Sequence, residues 1–126
     1  MKPLLHAKIS AKKFGGKYED YLDLHNWMDS TKAHLPDARH RMILHNSWGI
    51  YLGEQIFGVV IVNSNGKDIS VRSVLEQHVL DDLGHIPTLK ECMKSLDLEP
   101  WMGLNIPNKR PLIKLDLTKH NIEIVD

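Results

Sequence analysis

Cys92 is the only cysteine among 126 residues, so no disulfide can close within one chain and no cysteine-rich zinc site can be built. Its surroundings, "TLKECMKSL", hold no activating partner, which makes it a half-buried helix thiol rather than a nucleophile. Long apolar runs are missing too. The longest is "VVIV", far below the ~20 residues a membrane helix needs. The start, "MKPLLHAKISAKKFGGK", lacks the apolar stretch of a secretory signal, so a cytoplasmic protein is expected. Net charge is absent as well: 16 basic and 16 acidic side chains cancel, which argues against broad nucleic-acid binding. Aromatics make up only 6%, and Trp27, Trp48 and Trp101 lack the basic frame of a base-stacking platform. They are expected in the core or at an interface.

What the chain does have is histidine, eight residues at positions 6, 25, 34, 40, 45, 78, 85 and 120. The length suits one domain with a single core, and 42% apolar and 25% charged residues are ordinary for a globular protein.

The expected fold is α+β and mainly helical, with about four helices, a β-hairpin near 59–72 and a C-terminal extended strand. "FGGK" at 14–17 closes a Lys-rich start whose lysines at 2, 8, 12, 13 and 17 form a solvated face. A first helix then covers about 18–35 and stops at Pro36. A second starts near Asp37, a good N-cap, and runs to about Phe57. In "VVIVNSNGKDISVR" two β-branched runs flank an Asn-Gly turn signal. A third helix spans about 73–83 with Gly84 as its C-cap, and a short fourth follows Thr88. "PWMGLNIPNKRP" reads as a loop, and "LIKLDLTKHNIEIVD" alternates as a strand would. Residues 1–100 therefore form a helical domain with an inserted hairpin. Residues 101–126 add a loop and a C-terminal strand or arm, through which a homo-oligomer could form.

Side-chain direction follows from the ~100° that each helical residue advances. On the first helix Tyr18, Tyr21, Leu22 and Met28 mark the apolar stripe, and His25 and Asp29 fall within it. Asp20, Asp23, Asn26 and Ser30 take the solvated side. On the third helix Val71, Val74 and Leu75 define the buried side, with His78 between them and Asp82 one turn on. Two His-x-x-x-Asp pairs, "HNWMD" and "HVLDD", thus sit on apolar faces, where polar groups demand partners. On the second helix His45 lies among apolar residues with Arg41 one turn before it. His40 points about 140° away, in a stripe with Ser47 and Glu54.

Three inward histidines and two inward carboxylates are a donor set for a divalent metal ion. The expected ligands are His25, Asp29, His45, His78 and Asp82, holding zinc, manganese, iron or nickel. His6, ahead of the first helix, would supply a further ligand. Arg41 and Lys32 are the nearest groups for a phosphate or carboxylate and hence the expected catalytic pair on a small anionic substrate. The same His and Asp groups would also serve as a hydrogen-bonded polar network.

The blocks "HAKISAKKFGG", "YLDLHNWMDSTK", "DARHRMILHNSWGI", "FGVVIVNSNGKDISVR" and "EQHVLDDLGHIPT" resemble a family of small uncharacterised bacterial and phage proteins over about residues 6–102. That resemblance implies no activity. A weaker likeness is to the HD-domain metal-dependent phosphohydrolases, from which this chain departs in having no adjacent His-Asp dipeptide. It implies only the general chemistry of a metal that acidifies water and neutralises phosphoryl charge. Two functions are open at this point. One is a metal-dependent phosphoester or nucleotide hydrolase. The other is a non-enzymatic binding or regulatory module, with a protein partner, whose His and Asp groups form a structural metal centre or a polar network.

Overall fold

Residues 1–103 are described by the computed structural model of the chain, and they hold six α-helices and one two-stranded sheet. The mainly helical class and the hairpin agree with the sequence reading. The expected C-terminal strand and arm lie outside the described residues. The chain divides into two compact units, Met1–Lys94 and Ser95–Asp126. The described part of the second holds a 3-10 helix, Pro100–Met102. Among the described residues no helix is long and apolar enough to cross a membrane.

The Lys-rich start is itself a helix, α1, Pro3–Phe14. Pro3 suits a helix start, and Lys12 and Lys13 complement the dipole at its end. Its buried face is His6, Ala7 and Ser10, so the stripe is small and polar, and the usual apolar period hardly shows. α2, Glu19–Met28, is shorter than the expected first helix. The Ser30 hydroxyl donates to the Trp27 carbonyl at 2.6 Å, occupying one of the carbonyls left free at a helix end, and the chain tightens into a 3-10 helix, Ser30–Ala33.

The expected second helix is broken. Asp37 does cap it, accepting from the Arg39 N–H at 2.9 Å, but a 3-10 turn follows (Ala38–His40), then α3 (Arg41–Leu44) and α4 (Ser47–Phe57). Asn46 makes the joint. Its Nδ2 donates to the carbonyls of Met42 at 3.0 Å and Ile43 at 3.2 Å, closing α3. Its Oδ1 accepts from Gly49 N–H at 2.9 Å, opening α4. Gly49 lets the two pieces meet, because a Cβ there would overlap the Leu44 carbonyl oxygen. The break corrects the expected His40–Glu54 stripe. His40 is buried against Thr31, whose hydroxyl donates to the His40 carbonyl, while Glu54 lies on α4 and pairs with Arg72 at 3.2 Å.

β1 (Val60–Val62) and β2 (Asp68–Ser70) pair antiparallel with Ile61 opposite Ile69, and Gly66 takes the positive φ that the Asn-Gly turn requires. α5, Val71–Leu83, is capped by Ser70 and stopped by Gly84 in the left-handed region. α6, Leu89–Met93, opens with a Thr88–Glu91 capping box. The core packs α5 against α1, α2 and α4 through Tyr21, Leu24, Met28, Val71, Val74, Leu75 and Val79. Into this apolar layer the fold inserts fully buried His6, His25, His45 and His78.

Candidate metal centre

α5 supplies the floor of the site. His78 and Asp82 are one turn apart on its buried side, as the four-residue spacing requires. Asp29 enters from the C-terminal end of α2, where the backbone has left the helix (φ −97°, ψ 3°). His45 enters from the joint between α3 and α4, at ψ 56°. Each carboxylate meets both imidazoles. His78 Nε2 lies 3.1 Å from Asp29 Oδ1 and 3.4 Å from Asp82 Oδ2. His45 Nε2 lies 3.0 Å from Asp82 Oδ2 and 3.4 Å from Asp29 Oδ1. All four atoms fall within 4.8 Å of one another. A tetrahedral ion with ligands at about 2.0–2.1 Å sets those ligands about 3.3–3.4 Å apart, so the four carboxylate–imidazole separations, hydrogen bonds as they stand, need to open by only a few tenths of an ångström to admit one.

Ring orientation separates this group from a second one, His6, His25 and His78, whose nitrogens also lie within 4.8 Å. An imidazole lone pair lies in the ring plane, so rings that share an ion must have planes that intersect at it. The His45 and His78 rings are inclined at 71°, which allows that. His6 lies nearly face to face on His78, with ring centroids 3.7 Å apart and planes at 22°, so their lone pairs run nearly side by side, while His25 meets His78 edge to edge through Nδ1 atoms 2.8 Å apart. The His6 and His78 rings pack on each other; they do not converge on one point.

Electrostatics follow from burial and pairing. The Asp82 side chain is 1% exposed and that of Asp29 7%. Burial raises both carboxyls, but hydrogen bonds from His45 and His78 outweigh it and hold both well below the usual carboxylate range, with the chain's amino group and His6 adding to the effect at Asp82. His78 is the counterpart: burial lowers it, and hydrogen bonds to Asp29 and Asp82 raise it overall. His25 has no carboxylate partner, and burial, then the neighbouring His78 and His6, push it down to about 3. His6 is lowered by burial and by His78. Three buried polar atoms lack a partner among the described residues: Asp29 Oδ2, Arg41 Nε and His45 Nδ1.

The sequence-derived site residues are therefore distributed as follows. Asp29, His45, His78 and Asp82 share the four-atom group. His25 stands behind it, bonded to His78 Nδ1 at 2.8 Å and to Ser10 Oγ at 2.7 Å, rather than to Asp29 one turn away. Arg41 reaches the rim, 3.8 Å from Asp82 Oδ1. Lys32 is exposed on the 3-10 helix after Asp29 and makes no hydrogen bond or ion pair with the group. His6 lies on α1, not ahead of a helix, and its nitrogens face Asp81 and Asp82, each at 3.2 Å. Ser10, Gln77 and Asp81 were not singled out from the sequence. Their signal was positional: Ser10 is one turn after His6, and Gln77 is one turn before Asp81.

No curated protein and no solved structure matches the chain. The family model described as "Domain of unknown function (DUF6915)" matches residues 1–102, the segment that holds every member of the cluster, and the chain belongs to that family.

Proposed function

We propose that this domain binds one divalent transition-metal ion through Asp29 Oδ1, His45 Nε2, His78 Nε2 and Asp82 Oδ2, and that the ion is structural. The observation that carries this is the set of four carboxylate–imidazole separations of 3.0–3.4 Å at buried side chains from three separate parts of the fold. Two carboxylates and two neutral imidazoles cancel a 2+ charge, and charge neutrality is what a buried site favours. Two nitrogens and two oxygens at tetrahedral spacing suit zinc best, with iron, manganese and nickel behind it. Four protein ligands fill a tetrahedral shell, whereas a catalytic zinc keeps one position open. The domain is then a binding or regulatory module stapled by its metal.

A hydrolase remains the second reading, and Arg41 is what favours it. Its guanidinium sits beside Asp82, its Nε is buried without a partner, and its side chain is 30% exposed, so it could meet a phosphate at the rim.

Elemental analysis of protein purified without a histidine tag tests the first reading. About one equivalent of metal, lost in His78→Ala and kept in His40→Ala, is the expected result. No metal, and no thermal stabilisation by zinc, manganese, nickel or iron, would sink it. Turnover of bis(4-nitrophenyl) phosphate by the metal-loaded protein, abolished in Arg41→Ala, would promote the second reading over the first.

A further inference from the structure

Behind His78 runs a line of hydrogen bonds whose direction the donors and acceptors determine. Gln77 Nε2 lies 2.7 Å from Asp81 Oδ2 and 3.3 Å from the His6 carbonyl, two acceptors, so the amide nitrogen must face them. Gln77 Oε1 is thereby turned to Ser10 Oγ at 2.5 Å. Ser10 has one proton and two acceptors for it, Gln77 Oε1 and the His6 carbonyl at 3.1 Å. It has none left for His25, so its oxygen accepts from His25 Nε2–H at 2.7 Å. A fully buried imidazole without a carboxylate partner is uncharged, and His25 then carries a lone pair on Nδ1. That lone pair faces His78 Nδ1 at 2.8 Å and accepts its proton.

We propose that Gln77, Ser10 and His25 form a relay that holds the proton of His78 on Nδ1, so that Nε2 is the atom presented to the metal, making all three positioning residues for the centre. The inference rests on the metal-binding reading. Metal-binding histidines generally have their second nitrogen held by a partner, and loss of that partner typically costs ~10–100-fold in affinity. Here the partner is another histidine, itself oriented by a serine and a glutamine that reach Asp81.

Two measurements test it. Nitrogen-15 NMR of the metal-free wild type should show His25 as the Nε2–H tautomer; an Nδ1–H tautomer would overturn the relay. Zinc affinity, measured by chelator competition, should fall about 10–100-fold in His25→Leu and largely return in His25→Asn, whose Oδ1 can take the place of Nδ1 as acceptor. Equal zinc affinity in His25→Leu and wild type would also overturn it. Should His25→Leu not fold, Ser10→Ala, which removes the acceptor that orients His25, carries the same expectation. A wild type that binds no zinc refutes the metal centre, while the tautomer of His25 in that same metal-free sample still decides the relay's direction.

Discussion

At the scale of single residues the centre depends on His78, which lies between two buried carboxylates on one edge and His25 on the other. Removing it leaves Asp29 and Asp82 buried with one fewer donor. Breaking a buried ion pair in this way costs ~3–5 kcal/mol. Metal-free His78→Ala should therefore unfold at clearly lower urea concentration than His40→Ala, in a direct comparison of denaturation midpoints. Acid should destabilise the metal-free protein. His25, His6 and His40 all titrate below the ordinary 6.5 when folded, so on acidification the unfolded chain takes up protons first and stability falls with pH. His78 works against this, since its raised value adds stability below 6.5 that is lost as pH rises through its folded pKa. The depressed carboxyls of Asp29 and Asp82 matter only below their unfolded value of 3.8. The His25 shift, down to about 3, is the largest of the four, so the net slope favours higher pH. His25 alone contributes about 2 kcal/mol of loss by pH 5, and a thermal melting series from pH 7 to 5 should become flatter in His25→Asn.

Among the elements, the joint between α3 and α4 decides where His45 goes. Asn46 caps both pieces, so Asn46→Ala loses a helix cap worth ~1 kcal/mol and frees the turn that aims His45. Zinc affinity should drop although Asn46 touches no metal-facing atom; unchanged affinity would show that His45 is held by its own packing. Gly49→Ala must push the Leu44 carbonyl aside, at a cost of ~1–3 kcal/mol visible in the melting temperature. This joint was only partly legible in the sequence. Apolar residues continue through Met42–Leu44 and Trp48–Leu52, so one helical period covers both pieces. The cap signal of Asn46 with Gly49 three residues on was present but competed with that period. α1 was missed for the opposite reason: its buried face is His6, Ala7 and Ser10, too small and polar to register as a core stripe. The hairpin and α5 were legible because their signals are local: a Gly at a positive-φ turn, β-branched runs, and valines spaced at helical intervals.

On the scale of the whole molecule, a bound ion would join the end of α2, the α3–α4 joint and α5. Residues 30–44, two 3-10 helices and one turn of α-helix, lie between two of those anchors. A ligand that binds only the folded state stabilises it by ~4 kcal/mol when present at a thousandfold its dissociation constant. Zinc should thus raise the melting temperature. It should also slow amide exchange most strongly at His40–Asn46, as hydrogen-exchange mass spectrometry would show; protection confined to α5 would mean that His45 does not take part.

Helical spacing alone put His25, Asp29, His78 and Asp82 on apolar faces, the Asn-Gly turn and its β-branched flanks put a hairpin before the helix bearing His78, and a single cysteine left no cysteine site to compete. These follow from helical and strand periods and from composition, which are local properties of the chain. The pairing came from how the helices pack. Asp29 passes over His25, its neighbour one turn away, to meet His78 and His45, because α2 ends at Met28 and turns the carboxylate toward α5. His25 is left to Ser10 and His78 across the helix interface. Which nitrogen meets which oxygen depends on how helices far apart in sequence cross in space, and no period within one helix contains that.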